Sequence, residues 1–307
     1  MSVRSPFMPS DSPRSPAVQR RRQIQRRRAT ALGAIGLLVL VVSIIVDGGS
    51  SSTHRTPPSP RAAERQRLHT AVNLARRRLA IEDRAIDRVL AYTPFVVSGG
   101  GRKREVALTF DDGPGPYTPQ VLKTLHKLHV PATFFEVGFM ERWFHASTTQ
   151  AIADGNVVGD HTEGHPKLGL LSRPDQRNQI VSQAEWLHKL GAPRPRLFRP
   201  PFGSFDGRTF RVLRHNRMLM VLWSVDTNDY RQPGVKVILR RTLQGAKPGA
   251  IILLHDGGGA RSQTIAALPE IVKKLRERRF KLVTVPQMML DDPPPRGQPL
   301  PHYLSGG

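Results

Sequence analysis

From residue 105 onward, short apolar runs alternate with segments whose apolar residues recur every three or four positions. The short runs indicate strands, and the longer period indicates helices. Strands are predicted at residues 106–110, 132–137, 156–159, 197–199, 218–224, 250–254 and 281–284. Helices are predicted between them, at residues 118–129, 147–154, 174–190, 206–215, 235–243 and 262–279. Repeated strand–helix order implies a parallel sheet, and about seven such units predict an α/β fold that closes into an incomplete barrel.

The first apolar run of the chain, residues 29–46, has the length and the flanks of a membrane span. Thr30 and Ser43 are its only polar side chains, and six arginines crowd residues 20–28. Such a run is just long enough to cross a hydrocarbon core of about 30 Å, and the basic block holds the amino terminus in the cytoplasm. We predict a single-pass signal anchor in the cell membrane, after a basic cytoplasmic arm at residues 1–28 and with the rest of the chain outside. A cleaved signal peptide, which would leave a secreted protein, and a buried core helix are the alternatives.

The segment after this run changes character twice before the alternating pattern begins. Residues 47–60 are rich in Ser, Pro and Gly and predict a spacer. Residues 61–104 predict a basic amphipathic helix and a connector, because apolar residues recur in steps of three and four from Leu68 to Val89. This helix either packs on the following domain or joins two copies into a homodimer through residues 61–91.

The two ends of the alternating pattern set the predicted domain bounds. Residues 291–307 are rich in Pro and Gly and predict a disordered tail. The segment 105–290 is left as the folded domain that carries the polar motifs. A chain of 307 residues that is 38% hydrophobic can form one core of roughly 200 residues and keep such extensions.

Composition restricts the chemistry and the partners. The chain has no cysteine, so any metal must be held by His, Asp or Glu, and no disulfide framework exists. The net charge is +23, but residues 105–307 carry 27 basic against 18 acidic side chains, so most of the excess lies before the motif-bearing segment. A basic arm beside anionic phospholipid or an acidic envelope polymer explains it. We do not expect nucleic-acid binding, since no nucleic-acid motif accompanies the charge.

Candidate metal ligands follow two of the predicted strands. Asp111 and Asp112 come directly after the first strand and project to different sides of the chain, so one can bind a metal while the other addresses a water molecule. His161 and His165 are four residues apart, which lets two imidazoles converge on one ion. Together with Asp112 they leave one position of a tetrahedral Zn²⁺ open for water. Helix capping by the acids and a pair of surface histidines are the structural alternatives.

Other strand ends carry candidate catalytic groups. Arg199 precedes two prolines that fix the backbone, so Phe202 can turn a main-chain N–H toward a ligand, and the guanidinium can orient a carboxylate. His255 ends an apolar run, a setting that suits an acid with a pKa near neutrality. Asp226 and Asp229 are both candidates to orient this imidazole, although either residue can instead cap a turn.

Taken together, the motifs resemble those of a known family. They are Thr-Phe-Asp-Asp-Gly-Pro at 109–114, His-Thr-x-x-His-Pro at 161–166, Arg-Pro-Pro-Phe-Gly at 199–203 and Leu-x-His at 253–255. Residues 105–289 resemble the polysaccharide deacetylase, or NodB-homology, domain of carbohydrate esterase family 4. The resemblance implies a distorted (β/α) barrel and a Zn²⁺-dependent hydrolase of acetylated polysaccharide, with Co²⁺ as an alternative metal.

The resemblance also implies a role for each site residue. Asp111 is the expected base, and Arg199 tethers it. The expected metal ligands are Asp112, His161 and His165. The expected acid is His255, oriented by Asp229, while Phe202 offers its N–H to the oxyanion and Leu253 lines the acetyl pocket. Two positions depart from the usual motifs. Phe202 replaces a more common Tyr, and Tyr230, next to Asp229, replaces a Trp, which bears on substrate preference more than on activity.

Location ranks the substrates that the resemblance allows. A membrane-tethered enzyme outside the cell meets cell-wall polymer first, so the N-acetylglucosamine of peptidoglycan is the expected substrate, followed by chitin-type oligosaccharides and, as an O-acetyl ester, acetylxylan. A non-catalytic cell-wall glycan-binding protein and a basic envelope scaffold are the alternatives. The complete set of expected base, ligands and acid favours an enzyme.

Overall fold

Nine parallel strands form one open sheet. The structure, a computed structural model, describes residues 60–190 and 192–300. The strands are β1 (Phe95–Val96), β2 (Glu105–Gly113), β3 (Thr133–Glu136), β4 (Val157–Asp160), β5 (Leu197–Phe198), β6 (Leu219–Val221), β7 (Val225–Asp226), β8 (Ala250–His255) and β9 (Lys281–Leu282). Their order is β1-β6-β5-β4-β3-β2-β8-β7, and β9 pairs with the first residues of β2. Within the described residues the end strands β1 and β7 do not pair, so the parallel α/β sheet is an incomplete (β/α) barrel.

All seven predicted strands are present, and β1 and β7 are additional. Each of these two strands has only two residues, which is too short for a period to show in the sequence. β1 lies beside β6, where Phe95 is opposite Met220, and β7 lies beside β8, where Val225 is opposite Ile252. The expected number of about seven strands was therefore too low. The two additional strands lie at the two ends of the sheet, where they are defined by hydrogen bonds to β6 and β8 and not by a sequence pattern.

Eight α-helices occur in the described part of the chain. They are α1 (Pro60–Leu90), α2 (Thr118–Leu128), α3 (Gly138–Ala153), α4 (Arg173–Lys189), α5 (Gly207–His215), α6 (Val235–Gly245), α7 (Ser262–Glu277) and α8 (Val285–Asp291). Helix α8 was not predicted, and α3 begins at Gly138 rather than at residue 147. Its early turns escaped the pattern because Phe144 is non-helical and separates them from the rest.

The predicted membrane segment lies outside the described residues. The basic arm at 1–28, the anchor at 29–46 and the spacer, apart from its last residue, precede the first residue that the structure describes. None of the helices between residues 60 and 300 combines the length and the apolar character that a membrane span requires.

Strand β2 is the centre of the sheet and brings the motifs to one edge. Val106, Leu108 and Phe110 belong to one buried cluster, and Ala107 belongs to another on the opposite face. Burial of both faces is typical of a parallel sheet flanked by helices. β2 and β8 pair in register until Asp111 lies opposite His255. The carboxyl ends of these two strands therefore finish side by side.

The last turns of α1 pack against the sheet. Ile86 and Val89 are buried in a cluster with Leu219, Val285 and Met288. Leu74, further back on the helix, is 60% exposed. The amphipathic helix therefore covers its own domain through its carboxyl-terminal part, and the homodimer through residues 61–91 stays a prediction.

The segment predicted as a disordered tail contacts the domain as far as Gln298. The Asp292 carboxylate is buried and accepts hydrogen bonds from the backbone N–H groups of Arg102 and Lys103 at 2.6 and 2.8 Å. Gln298 accepts a bond from the N–H of Val97 and donates one to the carbonyl of Ser98. The prediction was wrong for these residues because Pro and Gly disfavour helices and strands without preventing hydrogen bonds to a neighbouring segment.

We expect Ile86→Ala to lower the free energy of unfolding by about 2–5 kcal/mol, because it leaves a cavity at a side chain that is 2% exposed. Leu74→Ala, on the exposed part of the same helix, should change it by less than about 0.5 kcal/mol. Denaturant unfolding followed by circular dichroism measures both values. Equal, small effects would contradict the packing of α1 on the sheet.

Candidate active site

Most of the predicted polar residues meet at the carboxyl edge of the sheet. β2 ends with Asp111 and Asp112 before Gly113, and His255 is the last residue of β8. His161 directly follows β4, and Arg199 directly follows β5. A cavity of about 890 Å³ opens at this edge and is lined by Asp111, Asp112, His161 and His255. Arg199 is buried and does not line it. In (β/α) barrels this is the edge at which functional side chains lie.

Three predicted metal ligands converge in this cavity. Asp112, His161 and His165 each offer one ligand atom, and these atoms lie within 4.8 Å of one another. Oδ1 of Asp112 is 3.5 Å from Nε2 of His161 and 2.9 Å from Nε2 of His165. This oxygen is buried and makes no hydrogen bond within the described part of the chain.

The protonation of the cluster fits a divalent cation. Nδ1 of His161 donates a hydrogen bond of 2.7 Å to the carbonyl of Arg199, and Nε2 of the same ring faces Asp112. Burial alone would raise the pKa of the Asp112 carboxyl, but the imidazoles of His161 and His165 hold that pKa well below its usual range. An ionised carboxylate oxygen and imidazole nitrogens are the ligands that zinc takes in open catalytic sites. The cluster therefore fits a metal, and its composition alone does not distinguish Zn²⁺ from Co²⁺.

The ligand histidines lie on a tight turn rather than on a helix. Thr162 and His165 have left-handed backbone angles, with φ of 71° and 58°. Oδ1 of Asp160 accepts the N–H of Thr162 at 2.8 Å, and Oγ1 of Thr162 accepts the N–H of His165 at 3.0 Å. These side-chain bonds stabilise a backbone that non-glycine residues rarely adopt, and so they fix the spacing of the two imidazoles.

A glycine lets the strand end of β8 approach the ligand residue. The backbone oxygen of Asp112 would lie 1.9 Å from a Cβ atom placed on Gly257. No side chain fits at that distance, so this position requires glycine. Asp112 itself has φ of 69°. The close approach and the left-handed angle together direct its carboxylate into the cavity rather than into a helix cap, which was the alternative for this pair of acids.

Arg199 is completely buried and holds Asp111. Its Nη1 donates to Oδ1 of Asp111 at 2.7 Å and to Oγ1 of Thr109 at 2.8 Å. Its Nε and Nη2 donate to the carbonyls of Val221 and Leu222 at 3.0 and 3.1 Å. Oδ2 of Asp111 lies on the side of the metal cluster, 3.7 Å from Nε2 of His161. One carboxylate oxygen is thus held by arginine while the other faces the cavity.

Asp229, rather than Asp226, orients His255. Oδ1 of Asp229 lies 2.7 Å from Nδ1 of His255, and Oδ2 accepts the backbone N–H of His255 at 2.9 Å. Thr264 donates to the same Oδ2 at 2.7 Å. Asp226 instead accepts the backbone N–H of Asn228. Burial alone would lower the pKa of His255, but the charge and hydrogen bond of Asp229 outweigh it and raise that pKa to about 9.

The residues expected around the substrate also line the cavity. Phe202 has a left-handed φ of 57° in the turn Pro201–Gly203, and its ring lies 4.6 Å from the ring of His165. The ring of Tyr230 lies 5.3 Å from that of His255. Leu253 is buried in the cavity wall. All ten predicted site residues therefore belong to this cavity or to its supports.

Several lining residues were not predicted. Arg261 is buried with its Nη2 4.0 Å from Oδ2 of Asp112, and Tyr117, Phe139 and Trp223 also face the cavity. Arg261 follows a run of glycines that indicates only a loop. The positions of these four lining residues depend on loop and helix packing, and neither a motif nor a strand end marks them in the sequence.

Comparisons with known proteins agree with this geometry. A family model described as polysaccharide deacetylase matches residues 98–221. A peptidoglycan-N-acetylglucosamine deacetylase of Bacillus cereus is 38% identical over 187 residues, which are 60% of this chain and 87% of the relative. A chitooligosaccharide deacetylase of Sinorhizobium fredii is 34% identical over 211 residues, 64% of this chain and 98% of the relative. A crystal structure of a peptidoglycan N-acetylglucosamine deacetylase is 34% identical and has a TM-score of 0.63. The match includes 65% of this chain and 94% of the chain in that crystal structure.

Three residues that could hold a metal ion, an arginine-held carboxylate and a carboxylate-held imidazole share one cavity, and this arrangement is typical of hydrolases on (β/α) folds. The chain belongs to the polysaccharide deacetylase family, the NodB-homology domain of carbohydrate esterase family 4. The resemblance that the motifs indicated is thereby confirmed.

We expect Asp112→Asn to lose bound zinc while Asp111→Asn retains it, because only Asp112 belongs to the cluster of ligand atoms. Elemental analysis of both purified variants after dialysis against zinc measures the stoichiometry. His126→Ala, which removes a largely exposed histidine away from the cluster, is the control. Equal loss of zinc in the Asp111 and Asp112 variants would contradict the separation of the two roles.

Proposed function

We propose that this protein is a metal-dependent hydrolase that removes N-acetyl groups from the N-acetylglucosamine units of peptidoglycan or of chitin-type oligosaccharide. The two relatives described above are named for deacetylation of these two polymers. Zn²⁺ is the proposed metal, with Co²⁺ as the alternative. The observation that carries the proposal is the placement of Asp111 and His255 opposite each other on neighbouring strands, each held by a buried partner of opposite charge.

These two pairs suit opposite roles in proton transfer. Nη1 of Arg199 donates a hydrogen bond of 2.7 Å to one oxygen of Asp111, and the other oxygen faces the cavity, where it can accept a proton. The pKa of about 9 for His255, raised by Asp229 against the effect of burial, means that this imidazole carries a proton at neutral pH. Titratable groups that their surroundings hold in opposite protonation states mark the base and the acid of a site.

The residues of the cavity then divide the reaction among them. Asp111 removes a proton from a water molecule while the oxygen of that water forms a bond to the carbonyl carbon of the acetamide. The backbone N–H of Phe202 donates to the oxyanion that develops, for which one donor contributes about 3 kcal/mol. His255 gives its Nε2 proton to the leaving nitrogen, so the C–N bond breaks to release acetate and a free amine. Leu253 and Tyr230 form the wall beside the acetyl group.

The ligand cluster would hold the cation next to this wall. Asp112, His161 and His165 are the residues that would bind it, and a divalent cation supplies polarisation of the carbonyl and a lowered pKa of bound water. The hydrogen bond from His161 to the Arg199 carbonyl ties the ligand set to the residue that holds the base. Displacement of His161 would therefore affect both metal binding and the orientation of Asp111.

The leaving group favours an amide over an ester. An amine leaves only after it has accepted a proton, and the doubly held imidazole of His255 meets that requirement. Removal of an O-acetyl group, as from acetylxylan, uses the same residues and is the second candidate. A glycan-binding protein without turnover is disfavoured by the complete set of Asp111, Asp112 and His255.

We further propose that the site faces the outside of the cell membrane. The support is the apolar run 29–46 behind six arginines, together with the cell-wall polymer named in one relative. In this arrangement the amino terminus is cytoplasmic, and the acetylated polysaccharide is reached from a single-pass anchor. Cleavage of the anchor and secretion is the alternative.

We expect the full-length protein in detergent to release acetate from peptidoglycan and from chitin oligosaccharides, more slowly from acetylxylan. A chelator should abolish release and added Zn²⁺ should restore it. Asp111→Asn, which removes the base, should lower the rate by about 10²–10⁴. Chromatographic measurement of acetate tests these points, and no release from any of the polymers by a protein that has bound zinc would favour the glycan-binding alternative.

A further inference from the structure

Two large aromatic side chains are exposed beside the cavity. Phe139 is 50% exposed and Trp143 is 72% exposed. Among residues 60–190 and 192–300, they are the only Phe and Trp in the set of large apolar side chains that are exposed. Exposed apolar surface of this kind is unfavourable in water and marks a binding surface when it adjoins a site.

Both side chains lie on one face of the first turns of α3. Residues four apart on a helix are neighbours, with Cβ atoms about 5–6 Å apart. This separation is comparable with the length of one pyranose unit. Phe139 lines the cavity, and Trp143 lies one turn further along the helix. The aromatic surface therefore starts at the cavity and continues outward from it.

This turn of α3 is attached directly to the segment that carries the ligand histidines. The N–H of Gly138 donates to the carbonyl of Thr162 at 3.0 Å, and the N–H of Phe139 donates to the carbonyl of Glu163 at 2.8 Å. The guanidinium of Arg142 pairs with the Glu163 carboxylate. Thr162 and Glu163 lie between His161 and His165 in the sequence. The position of the aromatic surface is thus fixed relative to the metal cluster.

A glycine makes this attachment possible. A Cβ atom on Gly138 would lie 2.4 Å from Oε2 of Glu163. Any larger residue would have to displace the Glu163 side chain and with it the pairing to Arg142. The helix start and the ligand turn are therefore built to fit each other, and the exposure of Phe139 follows from this fit rather than from a loose segment.

We propose that Phe139 and Trp143 form a glycan subsite that binds the sugar rings next to the unit being deacetylated. One face of a pyranose ring presents only C–H bonds, and it packs flat against an aromatic ring with loss of apolar surface to water. The ligand class is an oligosaccharide of linked N-acetylglucosamine units that extends from the cavity. A polymer chain fits best because the surface is continuous with the cavity, so its occupant must also enter the cavity. The identity of the sugar rests on the proposed function.

The subsite predicts a dependence on chain length. Trp143→Ala in the full-length protein should lower the ratio of kcat/KM for the N-acetylglucosamine hexamer to that for the dimer by about tenfold, since only the longer substrate reaches the lost ring. Trp143→Phe should retain most of the ratio. Ile81→Ala, which truncates an exposed apolar residue of α1 far along the chain from the site, should leave it unchanged. The same fractional loss for hexamer and dimer, or no loss, would overturn the subsite.

Tryptophan fluorescence separates this proposal from the proposed function. The chain has three tryptophans, and we expect added hexamer to change the emission of the full-length protein. Trp143→Phe should remove most of that change. Because Trp223 also lines the cavity, only the part of the response that Trp143→Phe removes reports on the subsite. If no acetate is released but that part is present, the proposed function fails and the subsite stands. If the response survives the substitution unchanged, or no hexamer binds, the subsite is refuted whatever the activity.

Discussion

The buried guanidinium of Arg199 connects the parts of the active site. Its side chain bonds to Thr109 and Asp111 at the end of β2 and to the carbonyls that close β6, while its own carbonyl accepts Nδ1–H of His161. A buried arginine is tolerated only when its donors are satisfied, and removal of one partner of such a pair costs about 3–5 kcal/mol. The position of the Asp111 carboxylate, the orientation of the His161 ring and the ends of β2, β5 and β6 are therefore coupled through one residue.

A second charged pair, Asp229 with His255, lies at the neighbouring strand. In this pair the buried supporting residue is an anion, whereas the buried supporting residue of the first pair, Arg199, is a cation. Asp111 is a carboxylate beside the buried cation of Arg199, whereas His255 is an imidazole beside the buried carboxylate of Asp229. The parallel register of β2 and β8 places the two reacting groups opposite each other. The fold thus places a carboxylate held by a cation and an imidazole held by a carboxylate on two sides of one cavity, as the proposed amide hydrolysis requires.

The sequence was informative wherever function depends on strand ends. The carboxyl ends of parallel strands converge whatever their lengths, so residues such as Asp111 and His255 could be grouped before any coordinates were known. The choice between Asp226 and Asp229 could not be made in this way, because it depends on the left-handed turn at Asn228 that directs Asp229 to the imidazole. The exposure of Trp143 likewise could not be predicted from the sequence. The first turns of α3 are positioned by hydrogen bonds to the turn between His161 and His165 and show no periodic pattern.

We expect Asp229 to keep His255 protonated at neutral pH, and an NMR titration of the imidazole nitrogens measures this protonation state. The metal-free protein should be used, with the His255 signals assigned by comparison with His255→Gln. We expect a pKa of about 9 for His255, so that the ring stays doubly protonated through neutral pH. In Asp229→Asn the pKa should fall, because the charge and hydrogen bond of Asp229 are lost while burial still lowers it. A neutral His255 ring at pH 7 in the unsubstituted protein would contradict the assignment of this residue as the acid.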